Sequence, residues 1–237
     1  KFLDASRLST FCRCEARFLF KCLMGLRASE ANNLNIDYGT VMHRVLPHMY
    51  GGEEKEAFAI FDPLWAKYGY GEEDPKRNTS VSRSRIISFI ASHRASVCPY
   101  EIMHFPFSSP TDLISPNEVP FLIDIGTIYP LCGRIDAVIK WKATGTIWAY
   151  DYKTSSEISS RYFDSFWFCP QACSYTIALS QITGQKIEGL VLEAMRISEK
   201  NIENQVGFVY VSEQNIKVFL EEAAFNAQCI KQANELG

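Results

Sequence analysis

The chain has no run of about 20 apolar residues, so no membrane-spanning helix is expected. It shows no secretory signal. It has no Cys-x-x-Cys pair, which argues against a zinc ribbon or finger. It has no Gly-x-x-x-x-Gly-Lys-Ser/Thr loop, so a motor or helicase, if one takes part, is a separate chain. Internal repeats and low-complexity stretches are absent too. Basic charge is not in excess: 24 Lys and Arg stand against 27 Asp and Glu, for a net charge of −3. That excludes a polycation that coats nucleic acid, but not a focused basic track for phosphates.

What is present suits a packed protein. The 237 residues are 47% hydrophobic and 13% aromatic, enough for a sizeable core. The eight cysteines are expected to be reduced thiols of an intracellular, cytoplasmic protein, several buried like small hydrophobes. The first residue is Lys1, so a trimmed natural N-terminus, targeting segment included, stays open.

Ser6 is placed to cap a first helix, with Leu8, Phe11, Phe18, Cys22 and Leu26 along its apolar face. Residues 28–35 read as a loop. A helix from about Tyr38 carries His43, and Pro47 kinks or ends it. Residues 53–68 and 80–97 read as helices, separated by a charged Gly/Pro-containing loop at 69–79. Residues 100–107 read as a strand, 108–117 as a connection, and 119–125, 131–141 and 146–153 as a meander. Pro170 suits the first turn of a helix ending before Gly184. Residues 186–196 read as a buried strand beside 146–153, and 206–211 as a shorter one. Ile216, Leu220, Ala223, Ala227 and Ile230 stripe a C-terminal helix. This order predicts an α/β sheet with an N-terminal helical elaboration. A mainly helical part (1–98) and a sheet core with its C-terminal helix (99–237) are read as a single domain.

Two basic tracks are candidates. Arg13, Arg17 and Lys21 recur every four residues, and Lys76, Arg77, Arg83, Arg85 and Arg94 enrich a later segment. Each equally suits a solvated helix face.

The strand-rich block carries unusual charge. Asp136 lies in Gly133-Arg134-Ile135-Asp136-Ala137-Val138-Ile139, Asp151 comes fifteen residues later, and Lys153 two after that. Side chains alternate along a strand, so Asp151 and Lys153 share one face while Trp148, Tyr150 and Tyr152 take the other. Buried charge is costly without a partner. Two neighbouring carboxylates invite a divalent cation, and oxygen ligation suits Mg²⁺ or Mn²⁺. A bound cation acidifies water, and a lysine beside it can position that water or meet charge on a phosphate. These parts suit phosphodiester hydrolysis. They also suit an ordinary ion pair on a hairpin.

The wider order is Gly39-Thr40-Val41-Met42-His43, Glu118-Val119-Pro120-Phe121, Gly133-Arg134-Ile135-Asp136, Asp151-Tyr152-Lys153-Thr154, then Gln171-Ala172-Cys173-Ser174-Tyr175. It resembles the PD-(D/E)XK nuclease superfamily in its RecB-type exonuclease branch, similar to CRISPR-adaptation and AddB/RecB nuclease domains. That branch carries G-x-x-x-H, G-x-x-D, D-x-K and Q-x-x-x-Y in this sequence. The segment from Ser6 to Phe18 is similar to its opening helix. Here Ile135-Asp136 stands where the superfamily's name has proline-aspartate.

The resemblance implies a restriction-endonuclease-like central mixed sheet flanked by helices. It implies that His43, Asp136, Asp151 and the Tyr152 carbonyl bind Mg²⁺ or Mn²⁺, and that Lys153 positions the water. Gln171 and Tyr175, four apart on one helix face, would border the site, with Glu118 supporting it. It implies a metal-dependent DNA exonuclease in recombination, repair, or phage or CRISPR DNA processing. Expected partners are DNA strand ends and a helicase or recombination or CRISPR protein. The helical part would narrow the entrance so that a strand end threads in. An alternative is a silent nuclease-like module that binds DNA or a partner, though the intact Asp-Asp-Lys set speaks against it. Some members of the branch hold an iron–sulfur cluster on one early and three late cysteines. Cys12 or Cys14 suits the early place, but only Cys229 lies near the C-terminus, so no cluster is expected.

Overall fold

A computed structural model describes residues 2–26, 34–46, 54–68, 73–93, 98–105, 117–198 and 203–235. In it the segment expected as one strand at 131–141 is broken at Asp136. Strand β3 (Leu131–Ile135) pairs antiparallel with β2 (Val119–Ile123) in a two-stranded sheet. Strand β4 (Ala137–Trp141) belongs to a separate five-stranded sheet. There it lies between β1 (Tyr100–Ile102) and β5 (Ile147–Ser155), antiparallel to both. The expected meander is therefore two sheets. Asp136 accounts for the division: its Oδ2 accepts the Tyr152 N–H at 3.1 Å, so a side chain ends the β4–β5 ladder.

Beside β5, as expected, lies β6 (Ile187–Arg196), which runs parallel to it, and then β7 (Asn204–Tyr210), antiparallel at the edge. A parallel neighbour needs a crossover. It is supplied by a short helix α6 (Ser160–Asp164), which the sequence reading did not anticipate, and by α7 (Pro170–Thr183). Pro170 stands in the first turn of α7, and Gly184 ends it at φ 64°, the left-handed conformation glycine adopts freely.

The five-stranded sheet is mixed and covered on both faces, a restriction-endonuclease-like arrangement. On one face Ala149, Leu190, Leu192 and Val209 pack with α1 (Ala5–Arg13), α7 and α8 (Glu213–Glu235). Ala223, Ala227 and Ile230 of α8 are buried there. On the other face Tyr150 and Tyr152 meet Val41, Met42, Phe61, Ile86 and Phe89. These come from α3 (Leu34–Val45), α4 (Glu54–Tyr68) and α5 (Thr79–Ser92). The alternation expected for Trp148, Tyr150 and Tyr152 is observed.

The N-terminal segment departs from expectation. Asp4, not Ser6, caps α1, accepting the Arg7 N–H at 2.7 Å. Cys14 is extended, the helix restarts as α2 (Glu15–Phe18), and a π-turn follows at Leu19–Leu23. Leu8, Phe11 and Phe18 are buried, but Leu26 is exposed, and Arg13, Arg17 and Lys21 do not share one continuous helix. Helix α3 begins four residues before Tyr38.

The second basic track is largely structural. Arg85 is fully buried, donating to Tyr38 Oη at 2.9 Å and to the carbonyls of Lys76 and Ser198 at 2.6 and 2.5 Å. Arg77 pairs with Asp74 at 3.0 Å and Arg83 with Asp62 at 2.5 Å. Several expectations fall outside the described residues: the loop at 28–33, Pro47, residues 69–72, Arg94 with the helix end at 94–97, the strand end at 106–107 and the connection at 108–116. Among the described residues, no helix is long and apolar enough to cross a membrane.

Candidate active site

Two glycines explain how the site's pieces come together. A β-carbon on Gly133 would sit 2.5 Å from the Phe121 ring, so only glycine lets β2 lay that ring across β3. A β-carbon on Gly39 would sit 3.3 Å from Thr154 Oγ1, so glycine lets α3 approach β5 closely. One turn further along α3, His43 then reaches the break at Asp136.

His43 Nδ1 lies 3.1 Å from Asp136 Oδ2. Asp151 is buried on β5 and forms an ion pair with Lys153. Its Oδ1 accepts Gln171 Nε2 at 3.0 Å, while its buried Oδ2 is the oxygen that meets the Lys153 ammonium. Gln171 also donates to Tyr175 Oη at 2.9 Å, and that hydroxyl donates to the Arg134 carbonyl at 2.7 Å. The Arg134 side chain pairs with Glu118 at 3.0 Å. The side chain of Asp151 is 2% exposed, against 25% for Lys153 and 32% for His43, so the cluster is sealed beneath Asp151 and open toward the other two.

The charges are strongly coupled. Burial pushes the Asp151 carboxyl up to about 6, and the negative charge of Asp136 adds to it, against the pull of Lys153 and His43. Burial also works against charge on Asp136. There, however, His43, the Tyr152 N–H and Lys153 outweigh it and hold Asp136 below the usual carboxylate range. Burial alone would lower His43 and Lys153. Asp136 holds His43 above its ordinary value, and Asp151 does the same for Lys153. Burial raises the Tyr175 phenol well above its ordinary value, so it acts as a neutral hydrogen-bonding group.

The structure thus brings His43, Asp136, Asp151, Lys153, Gln171 and Tyr175 into one network, with Glu118 at its margin. Tyr152 also enters through its N–H, which donates to Asp136 Oδ2. The sequence reading missed Tyr162 on α6. It is half-buried within the electrostatic reach of Lys153 and Asp151, and its own segment gives no signal. It also missed Glu193, a buried carboxylate behind the site that meets His93 Nε2 at 2.9 Å and the Tyr150 hydroxyl. A charge inside the apolar run Leu190-Val191-Leu192-Glu193-Ala194 was the available signal.

Two carboxylates and a lysine, Asp136 at the break between β3 and β4 and Asp151 and Lys153 on β5, thus meet on a mixed sheet flanked by helices. A family model for the PD-(D/E)XK nuclease superfamily matches residues 3–236, and the chain belongs to that superfamily. Among curated proteins, none matches the chain. A solved structure described as "Crystal structure of SSO0001" is similar at 15% identity and a TM-score of 0.34, over 91% of this chain and 86% of that one.

Proposed function

We propose that this nuclease is a metal-dependent DNA exonuclease of the RecB type. One observation carries the reading: the carboxylates of Asp136 and Asp151 are brought together in one cluster, with His43 on Asp136 Oδ2 and Lys153 on Asp151 Oδ2. Two buried carboxylates held this near repel each other, a cost that a shared divalent cation removes.

Among the described residues, no three acidic, imidazole or thiol side chains already close around one point. The donor set nevertheless fits a hard divalent cation. Two carboxylates and an imidazole belong to one charged network, the oxygen-rich kind of donor set such an ion takes. Asp136, Asp151 and His43 would hold Mg²⁺ or Mn²⁺, with the Tyr152 carbonyl as a further ligand. Bound there, the cation would neutralise the carboxylates and the negative charge of a phosphodiester.

The chain's own groups then divide the work. The Lys153 ammonium donates a hydrogen bond to the attacking water and faces the charge developing on the phosphoryl oxygens. Gln171 fixes the Asp151 carboxylate through Oδ1. Asp136, held by His43 and the Tyr152 N–H, keeps its charge and position. The water–phosphorus bond forms as the bond to the 3′-oxygen breaks, leaving a 3′-hydroxyl and a 5′-phosphate. Exonuclease action is favoured by the helical layer of α3–α5, which packs on one sheet face and delivers His43 to the open side of the cluster.

The test uses end-labelled single- and double-stranded DNA and a closed circle, each with Mg²⁺, Mn²⁺ or EDTA. Metal-dependent cutting of linear DNA, lost in Asp136→Ala and Lys153→Ala and absent on the circle, is expected. Cutting that survives Asp136→Ala would refute the assigned site. Binding without cutting under either metal would favour a silent nuclease-like module.

A further inference from the structure

The loop joining α6 to α7 is tied to the site at both ends. At its start Tyr162 feels the charges of Lys153 and Asp151. At its end Gln171 hydrogen-bonds Asp151. Between them the chain is anchored. Phe163, Phe166 and Cys169 pack on the core. Backbone bonds from Phe166 N to Phe163 O (3.0 Å), Trp167 N to Asp164 O (3.1 Å) and Cys169 N to Phe166 O (3.1 Å) close its turns.

Trp167 and Phe168 are the exceptions. They are 62% and 79% exposed, although they are large apolar residues on a well-anchored loop. Their ring centroids lie 6.4 Å apart with the planes tilted by 51°. They do not stack on each other, so each keeps a face to offer. Phe168 is three residues from Gln171, which limits their Cα separation to about 11 Å.

We propose that Trp167 and Phe168 form a stacking surface for unpaired nucleobases of the DNA strand whose phosphodiester lies at Asp136 and Asp151. The proposal rests on the nuclease reading of that site, which brings a strand past this loop. Nucleobases carry flat π-faces that stack on aromatic side chains without regard to sequence. Within a duplex those faces are covered by neighbouring bases, so the pair selects single-stranded or frayed DNA. Arg161 is exposed on α6 and adds a cation to the same segment for the phosphates.

Binding is measured by anisotropy in EDTA, which stops turnover. The probes are a labelled single-stranded oligonucleotide, a blunt duplex of the same length, and an abasic strand that keeps the phosphates without the bases. Wild type is expected to prefer the single strand over both others. The Trp167→Ala/Phe168→Ala double variant is expected to lose about 5- to 150-fold on the single strand and nothing on the abasic one. Trp167→Phe/Phe168→Tyr should retain binding, and thermal midpoints are compared to confirm folding. A double alanine variant that binds the single strand as wild type does, or weakens equally on the abasic strand, overturns the proposal. The two readings fail separately. Base-dependent binding without cutting removes the nuclease reading and keeps the stack. Asp136-dependent cutting with unchanged variant binding does the reverse.

Discussion

Asp136 Oδ2 takes two hydrogen-bond donors at once, the His43 ring 3.1 Å away and the Tyr152 N–H at 3.1 Å. One oxygen thereby ties α3 to β5 at the point where the two sheets part. A cation binding here must displace the proton that His43 shares with Asp136.

That competition fixes a pH dependence. Asp151 is raised from 3.8 to about 6 and His43 is raised above 6.5. Both groups bind protons more tightly in the folded, cation-free protein than in the unfolded chain. Their contribution to stability is full at low pH. It is lost between 3.8 and about 6 for Asp151, and as pH rises from 6.5 through the folded value for His43. A divalent ion needs both groups deprotonated, so it binds better as pH rises. Mn²⁺ is expected to raise the thermal midpoint strongly near pH ~8 and little near pH ~5. Equal shifts at both pH values would mean that the ion binds elsewhere.

The motif glycines make a second prediction. Gly133→Ala drives a β-carbon to 2.5 Å from the Phe121 ring and is expected to cost about 1–3 kcal/mol. Phe121→Leu in the same chain should return part of that loss, which a double-mutant cycle by denaturant unfolding measures. Gly39→Ala meets Thr154 Oγ1 at 3.3 Å, a milder contact. The helix gains about 1 kcal/mol from losing a glycine. Stability should hardly change, while nuclease activity falls because α3 carries His43 away from Asp136.

These cases show which parts of the fold local sequence could announce. The side-by-side placement of Asp151 and Lys153, and the burial of Tyr150 and Tyr152 behind them, follow from strand alternation and are observed. The start and end of α7 follow from Pro170 and Gly184. The break at Asp136 does not: residues on both sides favour strand, and only the contact with Tyr152, sixteen residues away, ends the ladder. The restart at Cys14 is likewise hidden, because the apolar spacing of Leu8, Phe11 and Phe18 runs through it.

Arg85 is the sharpest example, and it makes a third prediction. By spacing it reads as part of a basic track, yet its partner Ser198 lies 113 residues away and no local pattern reveals the pairing. Arg85→Met roughly keeps the volume but removes the hydrogen bonds to Tyr38 Oη and to the carbonyls of Lys76 and Ser198. It should cost at least about 2 kcal/mol by denaturant unfolding. The salt dependence of DNA binding should not change, since a fully buried guanidinium meets no phosphate. A reduced salt slope would return Arg85 to the DNA track.

The relay from Arg134 to Asp151 makes the last prediction. Tyr175 Oη donates to the Arg134 carbonyl and accepts one hydrogen of Gln171, whose other hydrogen goes to Asp151 Oδ1. Tyr175→Phe frees the amide to turn, and Asp151 loses its fixed orientation. Groups that orient a metal-binding carboxylate typically matter by about 10- to 100-fold. Tyr175→Phe is therefore expected to lower nuclease activity by about that factor and to cost about 1 kcal/mol of stability. Gln171→Glu should do more harm than Gln171→Ala, because it aims a second carboxylate at a buried one and strengthens the site's hold on protons. Rates measured across a Mn²⁺ titration separate the effects. Lost orientation lowers the rate at saturating metal, whereas a role confined to packing would lower stability and leave that plateau unchanged.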